Sequence, residues 1–546
     1  KGIPGLPKAK IEFAGNMLKR LEKAIDGNPR LPEWRGELYL EFHRGTYTSN
    51  ARNKKNNRDC EFLMLDSELL SVMAGVAAGM EFPKKTLHEC WETVLVNQFH
   101  DIIPGSSIRE VYEQCDRDYA ELRKTTGEIR KQAQDAIVSR IDTDKKYVVF
   151  NPHSFVGRGY VEADGKAVYV DNIPPKGYKA VDLRLGRGEG QLVSVDTDAK
   201  VIDTPYYRCE FDENWEIASL YDKQNDRQVI SGGTGNQLRI YEDYPDVYDA
   251  WEIQEFSGYK YYPVRDVKSV KALFKGGKAG VRIEREHSGS TIIQNVWFYG
   301  KDARIDFETE LDWHSLHRIL RTAFPVDINT DKASFEIQFG TIERPTHKNT
   351  SWDQQKFETC AHKFADLSEG DYGVSLLNNC KYGHDVHGNL MQLTLLKRPT
   401  YPSEVADEGH HSFTYSLLPH KGALKDADTV REGYMLNFPM YAVKADNAAK
   451  AGKGAKSVKA KKRTLPEEWS PVSVDNENLV IETVKEAEYG DEIIVRGYES
   501  RNFRGTANFT LGFDAKEVWL SDLSEHKLEK LELEGGRAFK VPYRPF

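Results

Sequence analysis

The chain has 546 residues, and at roughly 100–200 residues per domain that length calls for about three to five domains rather than one core. Hydrophobic residues make up 39% and charged residues 29%, with 27 Tyr, 24 Phe and 9 Trp, which is ample material for buried cores and excludes global disorder. Lys and Arg number 76 against 85 Asp and Glu, a net charge of −9, so the chain lacks the basic footprint of a general nucleic-acid binder and small or neutral partners fit better.

The six cysteines, Cys60, Cys90, Cys115, Cys209, Cys360 and Cys380, are scattered without a CxxC pair. They read as reduced, packed thiols, and a cytoplasmic location follows. No apolar run reaches 18 residues, so no transmembrane helix is expected. The opening KGIPGLPKAKIEF has neither an initiator Met nor a signal peptide's apolar core.

In chain order, the first quarter is helical. Phe62, Leu65, Leu69, Leu70, Met73 and Val76 recur at helical spacing between Cys60 and Ala78, and a second helix is predicted from about Leu87 to Gln98. Ser107 and Glu110 stand three apart as in a capping box, and Ile108, Val111, Cys115, Tyr119, Leu122, Ile129 and Ile137 mark one face of a long third helix. Three helices with short connections predict an antiparallel bundle.

Near Tyr147 the pattern changes. YVVFNPHSF is a β-branched and aromatic run closed by Asn-Pro, and Ile305, Phe307, Thr309, Leu311 and Trp313 alternate with polar residues; VRIERE and NQLRIYED do so more briefly. Antiparallel sandwiches are the natural container for so many half-buried strands. The Lys/Ala/Gly-rich stretch between Lys444 and Arg463 cannot bury a core and reads as an exposed loop or linker. A small sandwich is predicted from about Val472 to Tyr543.

Two segments could carry chemistry. In WETVLVNQFHDIIPGSS, His100 and Asp101 sit at a helix C-terminus against a Pro-Gly turn. Neutral imidazole is a common Zn²⁺ ligand, and the partial negative charge of the helix end favours a nearby cation. A hydrogen-bonded His-Asp pair tying two helices together is the alternative. In GELYLEFHRGTYTSN an alternating strand-like run leads into His43-Arg44-Gly45 and a row of hydroxyl residues, either a binding loop at a strand end or a structural turn before a helix.

Taken together, ELYLEFHRGTYTSNARNKKNNR and NQFHDIIPGSSIREVYE closely resemble the α-mannosidases of glycoside hydrolase family 38, particularly the cytosolic type-2C-like branch and its bacterial relatives. The later runs AFPVDINTDKASFEIQFGTIERPTHKNTSWD, DLSEGDYGVSLLNNCKYGHDV and DEGHHSFTYSLLPH look like the same branch. The resemblance implies a multidomain α+β fold: the end of an α/β domain, a three-helix bundle, then antiparallel β-sandwich domains. It also implies a zinc-dependent retaining hydrolase of terminal α-mannosyl residues, acting through an Asp nucleophile and an Asp acid/base. In the family a Zn²⁺ or similar divalent cation is held by a His-x-Asp pair, the nucleophile and the His of an HD motif. His100 matches that last ligand, and Asp101 matches the adjacent sugar-contacting Asp.

None of the 15 His residues is followed two positions later by Asp, so the His-x-Asp pair is absent, and the nucleophile and acid/base are expected in a preceding segment. The chain is therefore expected to be the C-terminal part of a longer mannosidase, with one metal ligand, no catalytic carboxylate pair and no activity of its own. His43 stands where Golgi and lysosomal relatives carry a sugar-stacking Trp, and is assigned a hydrogen bond to a mannose hydroxyl. Asp249 in YDAWEI, Trp352-Asp353 in NTSWD and His410-His411 in EGHHSF are candidates for loops that approach the sugar and select the aglycone. Turn residues satisfying backbone groups is the other reading of each. Asn349-Thr350-Ser351 matches a glycosylation sequon that would be idle in a cytosolic or bacterial setting.

The expected pieces are residues 1–50, the end of the α/β domain; 51–141, the bundle; 142–443, a large β-sandwich region; 444–463, a flexible basic linker; and 464–546, a small sandwich. The expected partner is an α-mannoside or oligosaccharide, with no nucleic acid and no membrane, and the bundle and sandwiches each offer a surface for a homo-oligomer. The competing reading is a non-catalytic carbohydrate-binding or structural β-sandwich protein.

Overall fold

The computed structural model describes residues 4–5, 7–8, 10–183, 192–445 and 463–545. The chain falls into two compact units, Lys1–Leu40 and Glu41–Phe546. The first carries helix α1 (Ala14–Ile25), which buries none of its residues within the unit. The predicted strand-like run from Gly36 to Phe42 is not a strand; among the described residues no other strand pairs with it, and a strand is defined by such a ladder.

The second unit opens with the bundle: α2 (Ala51–Ala78), α3 (Lys84–Asn97) and α4 (Arg109–Val138). Its upper core joins Cys60 and Met64 of α2, Leu87, Cys90 and Val94 of α3, and Cys115, Tyr119 and Leu122 of α4. Helix α2 begins nine residues earlier than its apolar periodicity predicts, because Asn53, Lys54, Asn56, Asn57 and Arg58 in its first turns are polar yet buried. It stops at Gly79, whose φ of 65° lets its N–H reach the Gly75 carbonyl. The predicted capping box of α4 does not form. Ser107 spends its hydroxyl on the Asp101 carbonyl and its N–H on the Tyr112 hydroxyl, so Ile108 stands at the N-cap.

In the β region the described strands pair antiparallel. A nine-stranded sheet places Ile305–Trp313 beside Gly409–Lys421, and a six-stranded sheet has Arg318–Pro325 and Leu390–Lys397 at its centre. Their inner faces share one core, in which Phe307 stacks on Tyr415 with ring centroids 5.0 Å apart and Trp313 is fully buried. Tyr147–Asn151, buried at every position, lies between Tyr441–Lys444 and Gly177–Val181 in a separate four-stranded sheet. Strands from Val472 to Tyr543 form the last β domain, whose Val472, Ile481, Val484 and Phe539 pack with Leu69, Leu70 and Met73 of α2. The fold is thus multidomain α+β with β-sandwich domains. Of the predicted linker, Lys444 ends a strand paired with Tyr147, and residues 446–462 lie outside the described residues.

Candidate active site

The N-terminal end of α2 is where three chain segments meet. The first is the loop before it. His43 (φ 64°) donates its N–H to the Glu252 carboxylate at 3.0 Å, Gly45 N–H donates to the Trp251 carbonyl at 2.8 Å, and the Ser49 hydroxyl donates to the Ala250 carbonyl at 2.6 Å. Gly45 sits so close that a Cβ there would lie 2.9 Å from the Ala250 oxygen and 2.9 Å from Lys397 Cε. His43 keeps half its side chain exposed, with Nε2 3.9 Å from Glu252 Oε1. Its neighbour Arg44 is buried, donates to the Gln355 carbonyl at 2.8 Å and covers the Phe357 ring.

The second segment is the turn after α3. Asn50 Nδ2 donates to the Gly105 carbonyl at 2.8 Å, and buried Lys54 donates to the carbonyls of Ser49 and Ile103. Gly105, at φ 88°, lies against Ser49 so tightly that a Cβ would come within 2.1 Å of the Ser49 oxygen. The turn thereby presents His100, 80% exposed, with its Nε2 3.5 Å from Asp101 Oδ2 and its ring against Phe99. The imidazole is therefore open to solvent and is not enclosed by aliphatic neighbours.

The third is the sandwich loop leading into Gly409–Lys421. Asp407 accepts the N–H groups of Asn50 and Ala51, both at 2.7 Å, and so caps α2. Burial pushes Asp407 up to about 6 and Lys54 down to about 7, each against the attraction of the other's charge. Arg52 donates to the His410 carbonyl at 3.3 Å, while the exposed His410 ring directs Nδ1 to the Leu311 carbonyl at 3.2 Å. His411 is buried and pushed down to about 3 by burial, hence neutral, with Nε2 against the Asp407 carbonyl.

The structure brings His43, Asp249 and the His100 turn to this junction, with His410 tied to it through Arg52. Asp249 accepts the Thr400 N–H at 2.6 Å and lies 3.7 Å from Lys397 Nζ. Asp353 accepts the N–H and hydroxyl of Thr350 in the capping box of the short helix α5 (Ser351–Gln355), and Gln355 of that helix holds Arg44. Both carboxylates thus serve backbone groups first. Sequence reasoning missed Glu252, Asp407 and Lys54, whose partners are remote in the chain. It also missed an aromatic group beside Asp249: Trp251 lies 5.8 Å from Tyr248 and 6.4 Å from Tyr401, both exposed. The density of Tyr in YEDYPDVYDAWEI was the available signal.

Among the described residues no three His, Cys, Asp or Glu side chains gather as a metal cage, and none of the helices is long and apolar enough to cross a membrane.

Helix bundle, sandwich core and terminal β domain follow one another in this order, and three family models match them in turn. Residues 41–137 match the α-mannosidase middle domain, 202–404 the glycosyl hydrolase family 38 C-terminal domain, and 478–546 the C-terminal β-sandwich domain of that family. The chain belongs to glycosyl hydrolase family 38. It is 32% identical to human alpha-mannosidase 2C1 over 99% of this chain and 52% of that protein, and 31% identical to alpha-mannosidase G of Dictyostelium discoideum over 93% and 51%. A Saccharomyces cerevisiae alpha-mannosidase is 34% identical over 79% of this chain and 40% of its own length. The chain therefore spans about half the length of the curated relatives it matches. An Enterococcus faecalis alpha-mannosidase crystal structure shares the fold, with a TM-score of 0.78 at 14% identity over 97% of this chain and 72% of that one.

Proposed function

We propose that this chain supplies one wall of the active site of a zinc-dependent retaining α-mannosidase, which removes terminal α-mannosyl residues from oligosaccharides or glycoconjugates in the cytoplasm. The supporting observation is the open imidazole of His100, fixed on a glycine-packed turn at the junction that also carries His43. The names of the relatives support the activity, and the cytosolic branch rests on the motif resemblance. The pieces are read as the end of an α/β domain to residue 50, the bundle to 141, the large sandwich region to 443, a linker to 463 and the small sandwich beyond.

His100 fits the metal as a single ligand, because its ring is unobstructed; a complete zinc site gathers three or four protein ligands, so the others come from outside this chain. When bound, the ion supplies Lewis-acid polarisation at sugar hydroxyls. Asp101, on the same turn, accepts a hydrogen bond from the sugar. His43 turns Nε2 toward Glu252, which leaves Nδ1 to accept from a mannose hydroxyl. Asp249, Asp353 and His410 belong to the loops that flank the aglycone, and the Tyr248, Trp251 and Tyr401 faces offer it stacking surfaces. A retaining mechanism needs two carboxyl groups about 5–5.5 Å apart, and both are assigned to polypeptide outside this chain.

The test is hydrolysis of an aryl α-mannoside by the full-length polypeptide and by these 546 residues alone, with and without chelator. Expected are chelator-sensitive activity in the former, none in the latter, and a loss of about a hundredfold or more in kcat/KM for His100→Ala. Full activity of the shorter chain would refute the placement of the carboxylates. Sugar binding without hydrolysis, surviving both chelation and His100→Ala, would favour a carbohydrate-binding protein.

A further inference from the structure

Away from the α2 N-terminus, the second unit holds a cavity of 570 Å³ between α2, α3, helix α6 (Thr429–Asn437) and the last β domain, within the range of small-molecule sites. Trp91 of α3, Phe339 and Tyr498 give it aromatic wall. Phe339 is held there against the preference of its backbone. It lies in the two-residue turn between the strands Lys332–Ile337 and Gly340–Pro345, and its φ of 59° is one that turns ordinarily give to Gly or Asn. Its ring stands edge-on to Tyr498 at 5.5 Å and stays 52% exposed. Glu482 is aimed by a second irregularity: the pairing of Leu479–Glu486 with Ile493–Glu499 shifts register between Ile481 and Thr483, which makes Glu482 the extra residue of a β-bulge. Bulges re-aim side chains and concentrate beside binding sites.

Hydrogen-bonding capacity is left over at the same wall. Among the described residues the Arg496 side chain, which lines the cavity, has neither a hydrogen bond nor an ion pair. Glu68 accepts from the Trp91 indole at 2.8 Å and from nothing else, and the Glu482 carboxyl has only the Tyr434 hydroxyl, at 3.5 Å. The charges themselves are balanced. Arg58 and Lys363 act on Glu61, Lys485 and Arg496 on Glu68, and Lys363, Lys176 and Arg496 on Glu482. An anion brought to Arg496 would meet Glu68 and Glu482, and a cation brought to either carboxyl would meet the surrounding Lys and Arg, so the lining favours an occupant without net charge.

We propose that this cavity binds a neutral sugar, with a pyranose ring against Phe339 and Trp91 and its hydroxyl groups on Arg496, Glu68 and Glu482, at a site separate from the one that carries His100. A guanidinium only donates and a carboxylate only accepts, whereas a hydroxyl does both. Neighbouring sugar hydroxyls therefore satisfy Arg496 and the two carboxyls together, through charge-assisted bonds, and add no charge of their own. The C–H face of the ring covers the aromatic wall, in the usual division of a small-molecule site into apolar lining and a few orienting polar groups. The strained turn at Phe339 and the bulge at Glu482 supply one group of each kind. The assignment stands apart from the mannosidase reading and needs neither metal nor catalytic carboxylates.

The experiment is calorimetric titration of the full-length protein, in the presence of chelator, with β-1,4-mannobiose, a neutral disaccharide that has no α-mannosidic bond between its rings. The expected dissociation constant is about 1 mM or tighter, and it should change less than about twofold between low and high salt, because a neutral ligand has no charge to screen. Phe339→Gly suits the φ of 59°, so it should leave the melting temperature undiminished while weakening binding about tenfold. Arg496→Gln should weaken it by about as much. His100→Ala should leave disaccharide binding unchanged, and Phe339→Gly and Arg496→Gln should leave aryl α-mannoside hydrolysis unchanged, so that either site can fail without the other. No binding at millimolar disaccharide, binding that both cavity variants leave intact, binding abolished by His100→Ala, or tighter uptake of mannosamine or mannuronate than of the neutral sugar overturns the proposal.

Discussion

Gly105 shows how much of the candidate site rests on one missing side chain. Its φ of 88° suits glycine, and an added Cβ would stand 2.1 Å from the backbone oxygen of Ser49. Gly105→Ala should therefore lift the His100 turn off the start of α2, at a cost of about 2 kcal/mol or more. The checks are a lower melting temperature together with weaker Zn²⁺ retention by the full-length protein; unchanged values of both would mean that the turn tolerates movement. His411 acts at the same scale through its charge. Its folded pKa is depressed to about 3, so its contribution to stability is present above about 6.5 and is lost as pH falls from there, because the unfolded chain takes up the proton first. By about pH 4.5 the parent protein should have lost about 3 kcal/mol that a His411→Gln variant does not lose. The melting-temperature gap between the two, measured near pH 7.5 and pH 4.5, should narrow accordingly, and a constant gap would contradict the assignment.

Between elements, the joints are made by buried polar groups. Lys397, on the central strand Leu390–Lys397, pairs with Asp243 where both side chains are fully buried, and reaches toward Asp249. Burial raises Asp243 despite that partner. Lys397→Met would leave the Asp243 carboxyl alone and should cost about 3–5 kcal/mol, whereas adding Asp243→Asn should restore much of the loss. Thermal unfolding of the single and double variants decides this; equal destabilisation by both would assign Lys397 a packing role only. The helices themselves were legible from apolar spacing because burying one face is a local property of the sequence. The start of α2 was not legible, since Asn53, Lys54, Asn56, Asn57 and Arg58 look like solvent-facing residues until Asp407, the His100 turn and the sandwich loops close over them. The capping box at Ser107 failed for a related reason: its hydroxyl and N–H found tertiary partners first.

For the whole molecule, the α+β division could be read from the change of period near Tyr147, and the alternation from Ile305 to Trp313 matches the burial of those strand residues closely. Motif resemblance singled out His100, Asp101 and His43 without any coordinates. Charge, length and periodicity depend on near neighbours in the chain, so sequence alone determined the helical first quarter, the antiparallel remainder and the family. Tertiary structure alone decided that Glu252 holds His43, that Asp407 caps α2 from more than 350 residues away, and that Glu61, Glu68 and Glu482 share one cavity. Such pairings depend on which surfaces meet when the bundle and sandwiches pack, and no local pattern of residues records that.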